Sequence, residues 1–194
     1  LGEDNARVTL DITHGFRHLP MIALMSALHL RATRNANING IYYGSFDPDT
    51  GRAPVFDLQG LLTIADWVGA LTTFDKDGDY GVFSDLVEES ASDIAQKLHV
   101  GAFQERTHQI GRAKNTLRKA AVTLNNNKPL EGVGALFQPT LEARLAWTGG
   151  DNLYHRQRDL AWEYFKRRDY LRTVILAYEG FVTRLVVDSG QRDN

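Results

Sequence analysis

Asp11-x-Thr13-His14-Gly15-Phe16-Arg17 gathers a carboxylate, a hydroxyl, an imidazole, a glycine and a guanidinium in one short stretch. Such a set suits a ligand rich in oxygen atoms. Glycine lets backbone amides approach closely, and arginine presents a planar donor fork that matches phosphate. Pro20 follows and reads as a helix start, because its missing N–H would be unpaired in the first turn anyway. The dipole and free amides of a helix N-terminus attract anions. Asp11 reads as an orienter of the turn, since a carboxylate repels phosphate. A second group, Tyr42-Tyr43-Gly44, closes the next β-forming run. Ligands of open α/β sheets sit beyond the carboxyl ends of the strands, where an aromatic ring can stack on a planar one. Strand alternation forbids both tyrosines from pointing the same way.

Strands and helices must hold these groups. Residues 7–13 alternate poorly and are mostly β-formers, which suits a strand buried on both faces. Residues 20–33 read as a helix with Met21, Leu24, Met25 and Leu28 at helical spacing. A turn over 35–40 leads to a second strand at 40–46, and the Asp47–Gly51 turn predicts a hairpin to a short strand at 53–57. Residues 58–74 form an amphipathic pattern with Leu58, Leu61, Leu62, Ala65, Val68 and Leu71 on one face. A doubly wound sheet has several strands, so part of an N-terminal half-sheet is expected to lie outside this chain.

Beyond residue 80 strand signals disappear. Helices are expected at 80–99 and 102–124, the second with Ile110, Leu117, Ala121 and Leu124 inward. Asn125 to Pro129 ends it, and a glycine-containing loop runs to Pro139. Helices resume at 139–148 and 151–188, with a break at Arg167-Arg168-Asp169.

The ordered motifs resemble the DxTHG-motif family of CRISPR-associated proteins. The likeness rests on Asp11-x-Thr13-His14-Gly15 with Phe16-Arg17 and Leu19-Pro20, then Ile41-Tyr42-Tyr43-Gly44 and Pro54 to Leu58. Ala65-Asp66-Trp67, Phe74, Gly78-Asp79 and the later Ala177-Tyr178-Glu179 continue it, most densely over residues 8–86. The resemblance implies a Rossmann-like CARF sheet that senses cyclic oligoadenylate, joined to an all-helical HEPN ribonuclease region. On that basis the chain divides into a sensor portion at 1–90, a helical linker at 91–138 and the start of a HEPN-like region at 139–194. Thr13, His14, Gly15 and Phe16 are the expected ligand-binding residues, with Arg17 near a phosphate or a dimer junction and Tyr42, Tyr43 and Gly44 beside adenine. The structural alternative is a strand-to-helix turn in which Thr13 caps and His14 bonds to backbone.

Composition narrows the classes. The chain has 194 residues, 43% hydrophobic and 24% charged, with a net charge of −2 and no cysteine. The charge argues against a generally basic surface for long nucleic acid and leaves room for a local basic pocket, while the lack of cysteine excludes disulfides and thiolate zinc sites. No apolar run approaches the roughly 20 residues that span a bilayer, and a cytoplasmic, membrane-free protein is expected. Asp75-Lys76-Asp77-Gly78-Asp79 opens like a calcium loop, but Tyr80 and Leu86 occupy the positions where that loop needs glycine and a bidentate acid, so no metal is assigned.

The paired arginine and histidine of HEPN ribonucleases are not found in these residues, and no catalytic residue is assigned. Arg156, Arg158, Lys166, Arg167, Arg168 and Arg172 form a basic cluster, read as a solvated face paired with Glu163, Asp159 and Asp169 ahead of a contact with single-stranded RNA. Helices at 153–165 and 170–186 resemble one tetratricopeptide hairpin, which alone is no repeat array. The resemblance favours a homodimer activated by cyclic oligoadenylate, which needs no cofactor and controls a HEPN-type ribonuclease. Two alternatives stand beside it: a ring nuclease that cleaves cyclic oligoadenylate, and a CARF module with a non-nuclease effector.

Overall fold

The computed structural model describes residues 6–13, 18–126, 130–149 and 152–190. Its contacts separate into two compact units, Leu1–Ala65 and Asp66–Asn194.

The first unit contains β1 (Arg7–Asp11), α1 (Leu19–Arg34), β2 (Asn37–Gly44) and β3 (Val55–Asp57). The strands form one sheet in the order β1-β2-β3. β1 and β2 run parallel, which requires a crossover, and α1 supplies it. β3 returns antiparallel to β2. The hairpin between them is held by Asp47, whose carboxylate accepts from the Asp49 amide at 3.0 Å and the Thr50 hydroxyl at 2.8 Å. Those bonds favour the ionised form and hold the Asp47 carboxyl below its ordinary pKa. Ala27, Ala36, Ile38, Ile41 and Leu62 form the core, with Val8, Leu10, Ile12, Leu24 and Leu28 packed against it. The sheet followed by a mostly helical region is the expected mixed α/β architecture.

Three sequence expectations change here. β1 alternates between exposed and half-buried positions instead of being buried on both faces: Val8 and Leu10 pack toward the core shared with α1, while Arg7, Thr9 and Asp11 are exposed. β2 begins at Asn37, where its amide donates to the Ala6 carbonyl at 2.8 Å, so the turn after α1 shrinks to Asn35 and Ala36. The stripe on α1 splits: Leu24 and Leu28 flank buried Ala27, while Met21 is 71% and Met25 64% exposed. A three-stranded sheet gives the helix a narrow seat, and only the 24-27-28 face fits it.

The second unit holds the end of α2 (Gly60–Asp77), a 3₁₀ turn at Tyr80–Phe83, and helices α3 (Ser84–Arg106), α4 (Ile110–Asn126), α5 (Gly134–Leu145), α6 (Leu153–Lys166) and α7 (Tyr170–Asp188). Its main core joins Trp67, Phe74, Phe83, Leu98, Leu117 and Leu141. Trp67 stacks on Phe137 with ring centroids 5.3 Å apart. The inner face of α2 is therefore Trp67, Ala70 and Phe74, and Leu61 and Val68 are exposed, contrary to the predicted stripe. Two large rings bury far more apolar area than Val68 would, and they set the rotation of the helix.

α3 and α4 break at residues 107–109, later than predicted. Gly101 does not end a helix: it lies within α3, where a Cβ would meet Leu117 of α4 at 2.4 Å. α5 begins before Pro139, and the loop ahead of it is tied down by Gln138, whose Oε1 accepts from the Leu130 amide at 2.8 Å. The α6–α7 hairpin turns where the sequence places the break, with Arg168 at φ 63° and Asp169 capping α7 through the Arg172 amide at 3.1 Å.

Candidate functional site

β1 and β2 end side by side because they are parallel, with Asp11 opposite Tyr42. Past the end of β1 the chain bends at Thr13. The Thr13 amide donates to Asp11 Oδ1 at 2.9 Å. Asp11 thus turns the chain, as its type and position suggested. The Thr13 hydroxyl accepts from the Gly44 amide at 2.7 Å. Glycine at 44 has a steric reason: a Cβ there would sit 3.0 Å from Thr13 Cγ2 and 3.2 Å from Oγ1. Aspartate, threonine and glycine therefore lock two strand ends together.

Tyr42 and Tyr43 are 37% and 38% exposed, so both rings reach the surface of this unit. The Tyr42 ring lies back over Gly40, where an added Cβ would meet it at 2.7 Å. Tyr42 pairs across the hairpin with Asp57 and Tyr43 with Phe56. His14, Gly15, Phe16 and Arg17 lie outside the described residues. Thr13 and Gly44 are in contact, with Tyr42 and Tyr43 immediately before them on β2.

In the helical unit the basic cluster is divided among local partners. Arg158 pairs with Asp159 at 2.9 Å, Lys166 with Glu163 at 2.8 Å and Arg172 with Asp169 at 2.9 Å. Arg167 lies 5.2 Å from the Phe74 ring centroid, and Arg172 lies 4.8 Å from that of Tyr164. Arg156 is buried. Asp75 and Asp79 of the calcium-like stretch serve Arg144 at 2.7 Å and Arg106 at 2.8 Å respectively.

Sequence reasoning missed a buried polar network beneath this cluster. Glu105 is 4% exposed, and its Oε1 accepts from the Tyr164 hydroxyl at 2.6 Å. Among the described residues its Oε2 has no hydrogen-bond partner. Desolvation raises the Glu105 carboxyl to about 7, against the opposing effects of the Tyr164 bond and of Arg167 and Arg172. Burial likewise pushes the Tyr80 and Tyr164 hydroxyls upward. Tyr80 donates to the Arg144 carbonyl at 2.6 Å and accepts from the Trp147 indole at 2.8 Å. One signal was available: Glu105 falls three and seven positions after buried Ala102 and Leu98, on the inner stripe of α3.

No family model matches the chain. It is similar to a CRISPR-associated protein of Methanocaldococcus jannaschii, at 35% identity over 97 residues. The match covers 49% of this chain and 15% of that protein, so the chain spans a small part of its relative's length. No helix among the described residues is long and apolar enough to cross a membrane. The similarity supports a CRISPR-associated family for this sheet-and-helix chain.

Proposed function

We propose that the chain carries the CARF-type sensor portion of a CRISPR-associated protein that binds cyclic oligoadenylate and controls a HEPN-type ribonuclease. The observation that carries this reading is the 2.7 Å bond from the Gly44 amide to the Thr13 hydroxyl. It ties together two motifs, read separately in the sequence, at the carboxyl ends of adjacent parallel strands, where α/β sheets bind nucleotides. The similarity to a CRISPR-associated protein supports the same reading.

In this proposal the turn from Thr13 to Arg17 offers amides and a guanidinium to the phosphates, and an exposed tyrosine of β2 stacks on adenine. A ring of repeated adenylates suits a two-fold homodimer, which presents each contact twice. Binding favours one arrangement of the helices leading to the effector, so the ligand acts by differential affinity. Residues 1–90 would be the sensor, 91–138 the linker and 139–194 the opening of the effector region that acts on single-stranded RNA.

Calorimetric titration with cyclic tetra-adenylate and cyclic hexa-adenylate tests the proposal. His14→Ala and Arg17→Ala are expected to weaken binding at least tenfold, about 1.4 kcal/mol, while the melting temperature holds. Absence of saturable binding by either ring, or unchanged affinity in both variants, would overturn it.

A further inference from the structure

The α6–α7 hairpin buries one side of α7 and leaves a more apolar side uncovered. Leu176 and Gly180 are buried, and a Cβ at Gly180 would meet Cβ of Gln157 on α6 at 3.3 Å. The opposite side carries Leu171, Val174, Tyr178, Phe181 and Leu185, all exposed, Leu171 by 73% and Tyr178 by 69%. Their 3-4-3-4 spacing is that of a coiled-coil seam. Trp162 and Phe165 of α6 extend the patch to Tyr170 through ring contacts, with centroids 5.7 Å and 6.1 Å apart in turn. Together these side chains expose on the order of 1,000 Å², beyond the roughly 300–600 Å² of the largest apolar patch on a typical monomer.

The order of residues says what covers this face. Counted from Tyr178, the stripe reads alike in both directions. Leu171 and Leu185 stand seven positions to either side, Val174 and Val182 four, and the bulky Ile175 and Phe181 three. Such a face is self-complementary when two copies lie antiparallel, as a two-fold interface requires. Charge at the margins agrees. Arg168 stands ten positions before Tyr178 and Asp188 ten after, both exposed, so opposite signs fall beside each other at each end of an antiparallel pair. A parallel pair would set like charges together. The Arg172 guanidinium sits inward over the Tyr164 ring, away from the seam. The exposed area is also sufficient, since a standard interface buries about 800 Å² per partner.

We propose that this face joins two copies of the chain through antiparallel α7 helices, with Tyr178 on the two-fold axis and Leu171 of each copy against Leu185 of the other. The Ala177-Tyr178-Glu179 stretch thereby acquires a role at the centre of the seam. The interface lies wholly within the α6–α7 hairpin and does not depend on the strand-end reading of the first unit.

Sedimentation velocity of the full chain without nucleotide, across about a hundredfold range of concentration, tests the proposal, because self-association follows mass action. A concentration-dependent dimer is expected. Val174→Glu combined with Phe181→Glu is expected to weaken it at least tenfold with unchanged circular dichroism, since both side chains are exposed in the single chain. The chain has no cysteine, so introduced thiols report the register. Tyr178→Cys is expected to cross-link to itself through a short dithiol-reactive reagent. Leu171→Cys is expected to link to Leu185→Cys in a mixture and not to itself, because like positions near the ends of an antiparallel pair lie about 20 Å apart. A monomer at every concentration, absence of the Tyr178→Cys link, or self-linking of Leu171→Cys overturns the proposal. So does a dimer that persists in the double glutamate variant and dissociates in Arg17→Ala, which belongs to the strand ends.

Discussion

Glu105→Gln should change how the stability of the helical unit depends on pH. The carboxyl rises from its ordinary 4.5 to about 7, chiefly because burial penalises the charge. Tyr164, Arg167 and Arg172 oppose that rise, and Asp79 adds to it. A carboxyl whose folded pKa is raised holds its proton more tightly in the native state. Its contribution to stability is therefore complete below about 4.5, declines as pH rises toward about 7, and is lost above that. The shift corresponds to about 3 kcal/mol in total. Glutamine cannot ionise and retains an oxygen for the Tyr164 hydroxyl. The variant should match the parent at pH 4.5 and exceed it by about 3 kcal/mol at pH 8, or about 10 °C in melting temperature. Denaturant and thermal unfolding of both proteins, taken in steps across that range, measures the difference with other titrations largely cancelling. Equal stability at every pH, or a glutamine variant weaker at pH 8, would show that the arginine charges outweigh desolvation.

Two further outcomes follow from packing and hydrogen bonding. Thr13→Val removes the acceptor of the Gly44 amide, so the first unit should lose about 1–2 kcal/mol and Gly44 should exchange its amide hydrogen faster in deuterium-exchange measurements. Leu117→Ala empties the site opposite Gly101 between α3 and α4 and should cost about 2–5 kcal/mol in denaturant melts, with partial rescue by Gly101→Ala, whose added methyl occupies the vacated space.

Local chemistry made much of this protein readable from its residues alone. Proline and asparagine punctuation marked the ends of α1 and α4 to within a few residues, because those residues restrict the backbone whatever surrounds them. The Asp47 turn identified the β2–β3 hairpin for the same reason, and Asp11 showed its turn-forming role through a bond only two residues away. Helix rotation was not local. Whether Val68 or Trp67 faced inward depended on Phe83 and Phe137, which lie far along the chain. The α3–α4 break was misplaced: the expected gap at 100–101 lies inside α3, where the absent Cβ of Gly101 leaves room for Leu117 of α4.

The same division holds for the sites. The sequence determined that threonine and glycine would stand at two strand ends, since strand, turn and strand were all legible nearby. Only the tertiary structure decided that the Thr13 hydroxyl meets the Gly44 amide, a contact spanning 31 positions. Glu105 marks the limit most clearly: an acid between Gln104 and Arg106 reads as solvated, and only the packing of α3 against α6 removes it from water. Periodicity places a residue on a face, but dielectric and hydrogen-bond partners come from whatever that face meets.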